Sequence, residues 1–528
     1  MLYFIPSWYH ENEYRENEQV FYSRRMVTEF DDSVKQVQLF NRNHIMDYKI
    51  INLSYCPNFR HFLHRQSVYH APYWSAFDAI QEVKSMSADT LSFHDLLWPE
   101  NTEFVYTNFC VIAYLNSAKY AEIHFGEDGN MIEVNLFQKD VLVRKNIYDD
   151  RGFLSCTQLF QNNFRVYEQY LNENGTWKMN HFFEDDHIEI NPENNHYLIH
   201  GKLYTLSSLS YPNMESILLE VLNKYLEIET TPSDIFCMAM HTLHHDLLEA
   251  AFKGRKNILS FYKERMDLFE DKELKSLILD ANYIVVDSKY KIEPIKEYAG
   301  KDVPIIDITP FDTRVDFGIS QQLSVQNILV PVDNIGKEKF SELVLCFADY
   351  FKKNEFTRVH FFTRNAMYNR EDQLLTLTRE VLKNNGYDER MARKESNNKS
   401  EFDLDGEEEI KIRFYVDQCV DELSISKCIR LQRIMVDITQ NPDLYLQISC
   451  ISSGIPMILE RETQYIHPGK NGFILEEKEK LQEYLAYYLD SLTNWNKALV
   501  YSYEIGQEYN TKRLIQKWKE VMKHVEQY

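Results

Sequence analysis

Two histidines stand four residues apart in the run HTLHHD (241–246). On a helix that spacing would put His241 and His245 on one face, where two imidazoles can hold zinc. Zinc hydrolases of this pattern carry a glutamate base directly after the first histidine, and Thr242 stands there instead. The run reads as the polar start of a helix, and no metal is expected. The eight cysteines form no CxxC pair and no zinc-like Cys/His spacing. Each lies in or beside an apolar run, which predicts buried free thiols and suits a reducing compartment. No GxSxG or Walker A pattern occurs, so no catalytic residue is assigned. Aromatics are abundant, with 35 Tyr and 32 Phe. Their ordinary use is core and sheet packing. The alternative is stacking against sugar rings, for which PSWY (6–9), YHAPYW (69–74) and Trp177 are candidates. The acidic run DGEEE (405–409) predicts a solvated loop, or else a patch for a basic partner.

The elements that would position these residues change character along the chain. LYFIPS opens as a buried strand, a helix is predicted over Ser33–Asn43, and YKIINLSY is a second strand. Strand, helix, strand in that order predicts a parallel α/β layer. From about Phe104 to Tyr204 strand follows strand. NMIEVNLF alternates, with Ile132, Val134 and Leu136 on one face. GEDGN, YDDRG and NENGT supply hairpin turns, since Gly, Asn and Asp tolerate positive φ. After that, DIFCMAM, NILSFY, YIVVDS and VPIIDI predict further parallel strands between helices. A second α/β unit begins near Ser324 with VQNILVPV and continues through RVHFFT, IKIRFYV and IMVDIT. The polar stretch 387–409 interrupts it and predicts a mobile loop. The last helix has an apolar stripe of Leu514, Ile515, Trp518, Val521, Met522 and Val525.

The chain has 528 residues, room for about three domains. Its formal net charge of −23 argues against a nucleic-acid backbone as ligand. It also argues against broad attraction to anionic lipid, leaving at most peripheral membrane contact. No signal peptide or membrane span is expected, so the chain reads as cytoplasmic. Glycine is scarce, 15 residues, where about 7% is usual. Loops that cradle phosphates need glycines for close backbone approach.

Two runs near the C-terminus carry a resemblance. SSGIP (452–456) resembles the A-[SC]-G-x-P turn of glycosyltransferases, and PGKNGFIL (468–475) their following G-x-N-G-hydrophobic turn. With two α/β halves, TPFD (309–312) as linker and a final helix, the chain resembles the GT-B fold. That fold has two Rossmann-like domains facing a cleft. The expected architecture is α/β and GT-B-like, with an inserted extended antiparallel β-sheet domain and a C-terminal cross-over helix. Residues 1–100 and 206–320 would form the first Rossmann-like domain and 101–205 the inserted sheet. Residues 321–508 would form the second, with 509–528 packing back on the first. With YFIPSWY at the N-terminus, the chain is further similar to the glycosyltransferase-like family among the three accessory Sec proteins.

The resemblance implies a comparison of chemistry. The transferases carry two carboxylates, E-x7-E, before the A-[SC]-G-x-P turn; the matching positions are Asn441 and Ser449. Of an expected Arg and Lys pair, Lys337 is present, but Val332 holds the arginine's place. A glycine expected after the next strand is replaced by FFTRN, and a Gly-rich loop after the first strand by PSWYHE. These departures point away from nucleotide-sugar transfer. The resemblance implies a non-catalytic protein without cofactor. Its partners would be the other two accessory Sec proteins, the accessory SecA ATPase and a glycosylated serine-rich repeat adhesin, with recruitment to the membrane translocase. N-acetylglucosamine-type sugars would bind a cleft containing Lys337, Arg364, Asn365, Asn441, Ser449, Lys470 and Asn471. The alternative is an active retaining glycosyltransferase with a diverged donor site acting on the adhesin.

Overall fold

Leu2–Ile5, four residues almost inaccessible to solvent, forms an inner strand of the first half. It pairs in parallel with Tyr48–Asn52 on one side and Ile235–Ala239 on the other. Continuous apolar sequence suits a strand covered on both faces. A computed structural model describes the whole chain except residues 11, 17–19, 23–29, 267–273, 366, 394–411 and 528. Seven parallel strands form this sheet, running outward to Ile305–Asp307 at one edge and Tyr73–Ser75 at the other. The helix Asp32–Asn43 starts at Asp31, whose carboxylate accepts from the amides of Ser33 and Val34.

Between these strands the chain builds ten antiparallel strands, from Thr102–Tyr106 to Ser210–Tyr211. Eight of them, Thr102–Tyr106 through Trp177–Phe182, lie side by side in sequence order, as expected of successive hairpins. In Met131–Gln138 the alternation places Ile132 and Val134 inside. The sheet is fastened to the first half by buried charge. Arg60 reaches Asp149 and Asp150 in the turn before Leu154–Gln161, and Arg151 reaches Asp78 at 2.7 Å. A second tie joins Arg15 to the buried Glu168 at 2.6 Å.

The second half is a parallel sheet of six strands, in the order Phe414–Gln418, Thr357–Thr363, Gln326–Pro331, Gln432–Asp437, Met457–Leu459, Gly472–Ile474. Helix Leu444–Ser453 ends at Gly454, whose φ of 71° is the left-handed cap that glycine adopts freely. The final helix Thr511–Glu526 crosses back to the first half. There Leu514, Trp518, Val521, Met522 and Val525 share a core with Leu2, Phe4, Val34 and Phe40.

Two sequence readings change. The helix after HTLHHD covers His245–Phe252, with His244 as its first flanking residue. His241 precedes it in a turn, so His241 and His245 do not share a helix face. The residue that folds inward is His244, fully buried between them. Among the eight free cysteines, Cys110 and Cys346 are half-buried rather than buried. Of the stretch 387–409, Tyr387 bonds Asp349 at 2.6 Å and Glu389–Ala392 forms a short 3-10 turn. Asp388 and Arg393 flank that turn, and residues 394–409, with DGEEE at 405–409, lie outside the described residues. Among the described residues, no helix is long and apolar enough to cross a membrane.

Candidate functional site

In an open parallel sheet, ligands bind beyond the carboxyl ends of the strands where the strand order reverses. Each half has such a point. In the first it lies between Leu2–Ile5 and Ile235–Ala239, in the second between Gln326–Pro331 and Gln432–Asp437.

The crevice of the first half is filled by the chain's own side chains. Trp8 is buried, packs 4.8 Å from Phe62, and donates its indole N–H to Asp31 at 3.1 Å. The Tyr9 hydroxyl lies 2.7 Å from His244 Nδ1, and His244 Nε2 lies 2.7 Å from the Ala239 carbonyl. The carbonyl can only accept, so Nε2 carries the proton and Tyr9 donates. Burial, with Arg265 and the neighbouring histidines nearby, pushes His244 down to about 3. The same causes push His241 down to about 4. Beside them Arg265 reaches Ser7 at 2.7 Å and Asp32 at 2.9 Å. Asp31, buried and next to Asp32, is pushed up to about 6 even though Arg265 opposes the shift. The aromatic candidates are similarly engaged. Trp74 stacks on Tyr225 with centroids 4.0 Å apart, and Tyr73 accepts from Arg60 at 3.1 Å. Tyr69 is exposed and Trp177 half-buried.

The crevice of the second half keeps a cavity of about 450 Å³, lined by Asn334–Lys339, Ile438 and Gln440. Helix Lys337–Phe351 starts there, and its flanking Gly336 offers no side-chain cap to the first amides. Lys337 is exposed at this wall, and Asn441, also exposed, follows Gln440. Lys339, another wall residue, pairs with Glu460 at 2.6 Å.

The other sequence candidates are committed to protein contacts. Arg364 Nε donates to Asp443 at 2.6 Å, and Asp443 also caps helix Leu444–Ser453. Burial works to raise the Asp443 carboxyl, but Arg364 more than offsets it and holds it below the usual range. Asn365 accepts from the Met367 amide at 3.0 Å. Ser449 donates to the Tyr445 carbonyl at 2.7 Å. Asn471 is fully buried, donating to the Tyr465 carbonyl at 2.8 Å and accepting from the His467 amide at 2.7 Å. The Lys470 ammonium sits 4.9 Å from the centre of the Tyr501 ring. The candidates therefore fall into three groups. Lys337 and Asn441 lie by the cavity, Arg364 with its neighbour Asn365 at the start of helix Leu444–Ser453 and Ser449 within that helix, and Lys470 and Asn471 on the turn before Gly472–Ile474.

Sequence reading missed Phe30, Arg265 and Asp443. Phe30 comes from the first half, yet its ring lies 4.0 Å from the Arg364 guanidinium and 4.6 Å from Tyr445. Nothing local marks it, because both partners lie more than 300 positions away. Asp443 did carry a signal: an Asp directly before an apolar helical run is a helix cap.

The fold and these contacts can be set against known proteins. The family model for the accessory Sec system protein 1 matches residues 1–525. A curated relative of that description from Streptococcus gordonii is 30% identical over 535 residues, covering 99% of each chain. A solved structure of accessory secretory proteins 1, 2 and 3 from Streptococcus pneumoniae superposes with a TM-score of 0.80 at 25% identity, over the whole of both chains. The pneumococcal O-GlcNAc transferase GtfA, solved with UDP and GlcNAc, superposes at 0.68 with 13% identity, over 99% of this chain and 98% of that one. At that identity the likeness is one of fold, and it identifies the architecture as GT-B. From its first strand to its final helix, the chain belongs to the accessory Sec system protein 1 family.

Proposed function

We propose that this chain is a non-catalytic, glycosyltransferase-shaped subunit of the accessory secretion machinery. It binds the other two accessory Sec proteins and the glycosylated serine-rich repeat adhesin, and helps deliver the adhesin to the accessory SecA ATPase. It works in the cytoplasm, recruited to the membrane translocase through its partners. The observation that carries the non-catalytic reading is the state of Arg364. Its Nε is paired with Asp443 and its face is covered by Phe30, with Nη1 buried beside them, so its charge is already matched within the protein rather than presented to a leaving diphosphate. Ser449 adds support, because a hydroxyl bonded inside its own helix offers no charged acceptor for a ribose. Partner binding rests on the relatives, one of which was solved together with accessory secretory proteins 2 and 3. A cleft without donor-phosphate contacts can still hold sugar hydroxyls, and weak binding repeated along a glycosylated chain gains by avidity. The test is recovery from cytosol with this chain as bait. The proposal expects both accessory Sec partners and the adhesin, and recovery of neither contradicts it. Higher affinity for glycosylated than for bare repeats is expected, and equal affinity would make the chain a scaffold without sugar contact.

One observation favours the second reading, an active retaining transferase. The cavity of about 450 Å³ lies at a switch point, with Lys337 at a helix start beside it. Titration with UDP-N-acetylglucosamine separates the two. Tight binding lost in Lys337→Ala, together with sugar transfer, would establish the enzyme.

A further inference from the structure

We infer that the joint between the two halves is latched shut by Phe30, so that the chain is one fixed platform rather than a hinged pair. The inference stands apart from which partner or sugar the chain binds.

A GT-B enzyme closes around its substrates by moving one half against the other, which requires a cleft that parts at low cost. Here the facing surfaces are joined at several points. Phe30 is 3% exposed and belongs to the same apolar cluster as Phe362, Met435, Leu446 and Ile448 of the second half. It is held from its own side as well. The Tyr262 hydroxyl donates to its carbonyl at 2.7 Å, and the next residue, Asp31, is fixed by Trp8 and Arg265. The ring therefore projects from a rigid base into the other half.

Two further ties flank it. Lys35, on the helix that follows Phe30, forms an ion pair with Glu422 of the second half, and the lysine side chain is only 9% exposed. Elsewhere along the joint, Gln464 accepts from the Lys289 amide at 2.8 Å and donates to the Asp287 carbonyl at 3.2 Å. Parting the halves would withdraw a buried phenyl ring, uncover the face of Arg364 and leave these polar groups without their partners at once. Because the ties open together, the joint has one closed state rather than a range of angles.

The test compares the full-length protein with Phe30→Ala by amide hydrogen exchange and small-angle X-ray scattering. The latch predicts exchange on the order of tenfold faster in the peptides covering Lys289 and Gln464, with exchange in Leu2–Ile5 unchanged. It also predicts a larger radius of gyration. Faster exchange spread evenly through both sheets would make Phe30 an ordinary core residue and overturn the inference, as would no change at the joint. The charge pair supplies an independent arm. Glu422→Lys should loosen the same peptides, and Lys35→Glu combined with it should restore them. Failure of the double reversal to restore them contradicts the latch.

Discussion

Ser449 donates its hydroxyl to the carbonyl of Tyr445, 2.7 Å away and one turn back on the same helix. The resemblance to glycosyltransferases matches this position to a carboxylate that grips the donor ribose. The hydroxyl instead completes a local bond that a helix forms well without. Ser449→Ala is therefore expected to change stability by no more than about 0.5 kcal/mol in urea unfolding and to leave partner recovery intact. A large loss of partner binding would show that the serine meets a ligand.

Gly472 is required for a different reason. A Cβ built there would lie 2.0 Å from the carbonyl oxygen of Met457, on the neighbouring strand. No rotamer relieves a backbone clash. Gly472→Ala is expected to cost about 1–3 kcal/mol or more and to unpair Gly472–Ile474 from Met457–Leu459. Chemical denaturation reads the first, and exchange of the Met457 and Ile458 amides the second.

The larger of the two charged ties of the inserted sheet is the buried network around Arg60 and Arg151. Asp149 and Asp150 are nearly inaccessible, and Arg60 and Arg151 are the cations facing them. Removing a cation leaves buried carboxylates uncompensated. Arg60→Ala is expected to cost about 3–5 kcal/mol in denaturant unfolding. Limited proteolysis should then cut first at the junction of the sheet with the first half.

His244 gives stability an acid limit. Its folded-state value is depressed to about 3 from the ordinary 6.5, chiefly by burial. The unfolded chain therefore takes up this proton first as pH falls. The stability is fully present above about pH 6.5 and is lost on descent toward 3, at up to about 1.4 kcal/mol per pH unit. His244→Gln should flatten that slope between pH 6 and 4 by one proton. An unchanged slope would place the acid sensitivity elsewhere.

The sequence made the architecture readable because its signals are local. SSGIP needs a left-handed residue at Gly454, GKNGFIL needs close backbone approach at Gly472, and both requirements are met in the structure. The final helix was legible because its apolar stripe repeats at helical spacing, and all of that stripe except the half-buried Ile515 is buried. What could not be read is what distant segments do to each other. His241 and His245 have helical spacing, yet the helix begins only at His245, and His244 just before it folds inward to Tyr9 and Ala239. Arg364 looked like an available cation until Asp443 and Phe30 were seen against it. No periodicity encodes a contact between residue 30 and residue 364.

We propose that a glycosyltransferase shape serves here without sugar transfer. The most direct test is the transfer of labelled N-acetylglucosamine from UDP-N-acetylglucosamine to adhesin repeats by the purified chain, alone and with its two accessory Sec partners. No product above the protein-free blank is expected in either case. Product formation that Lys337→Ala abolishes would contradict the proposal.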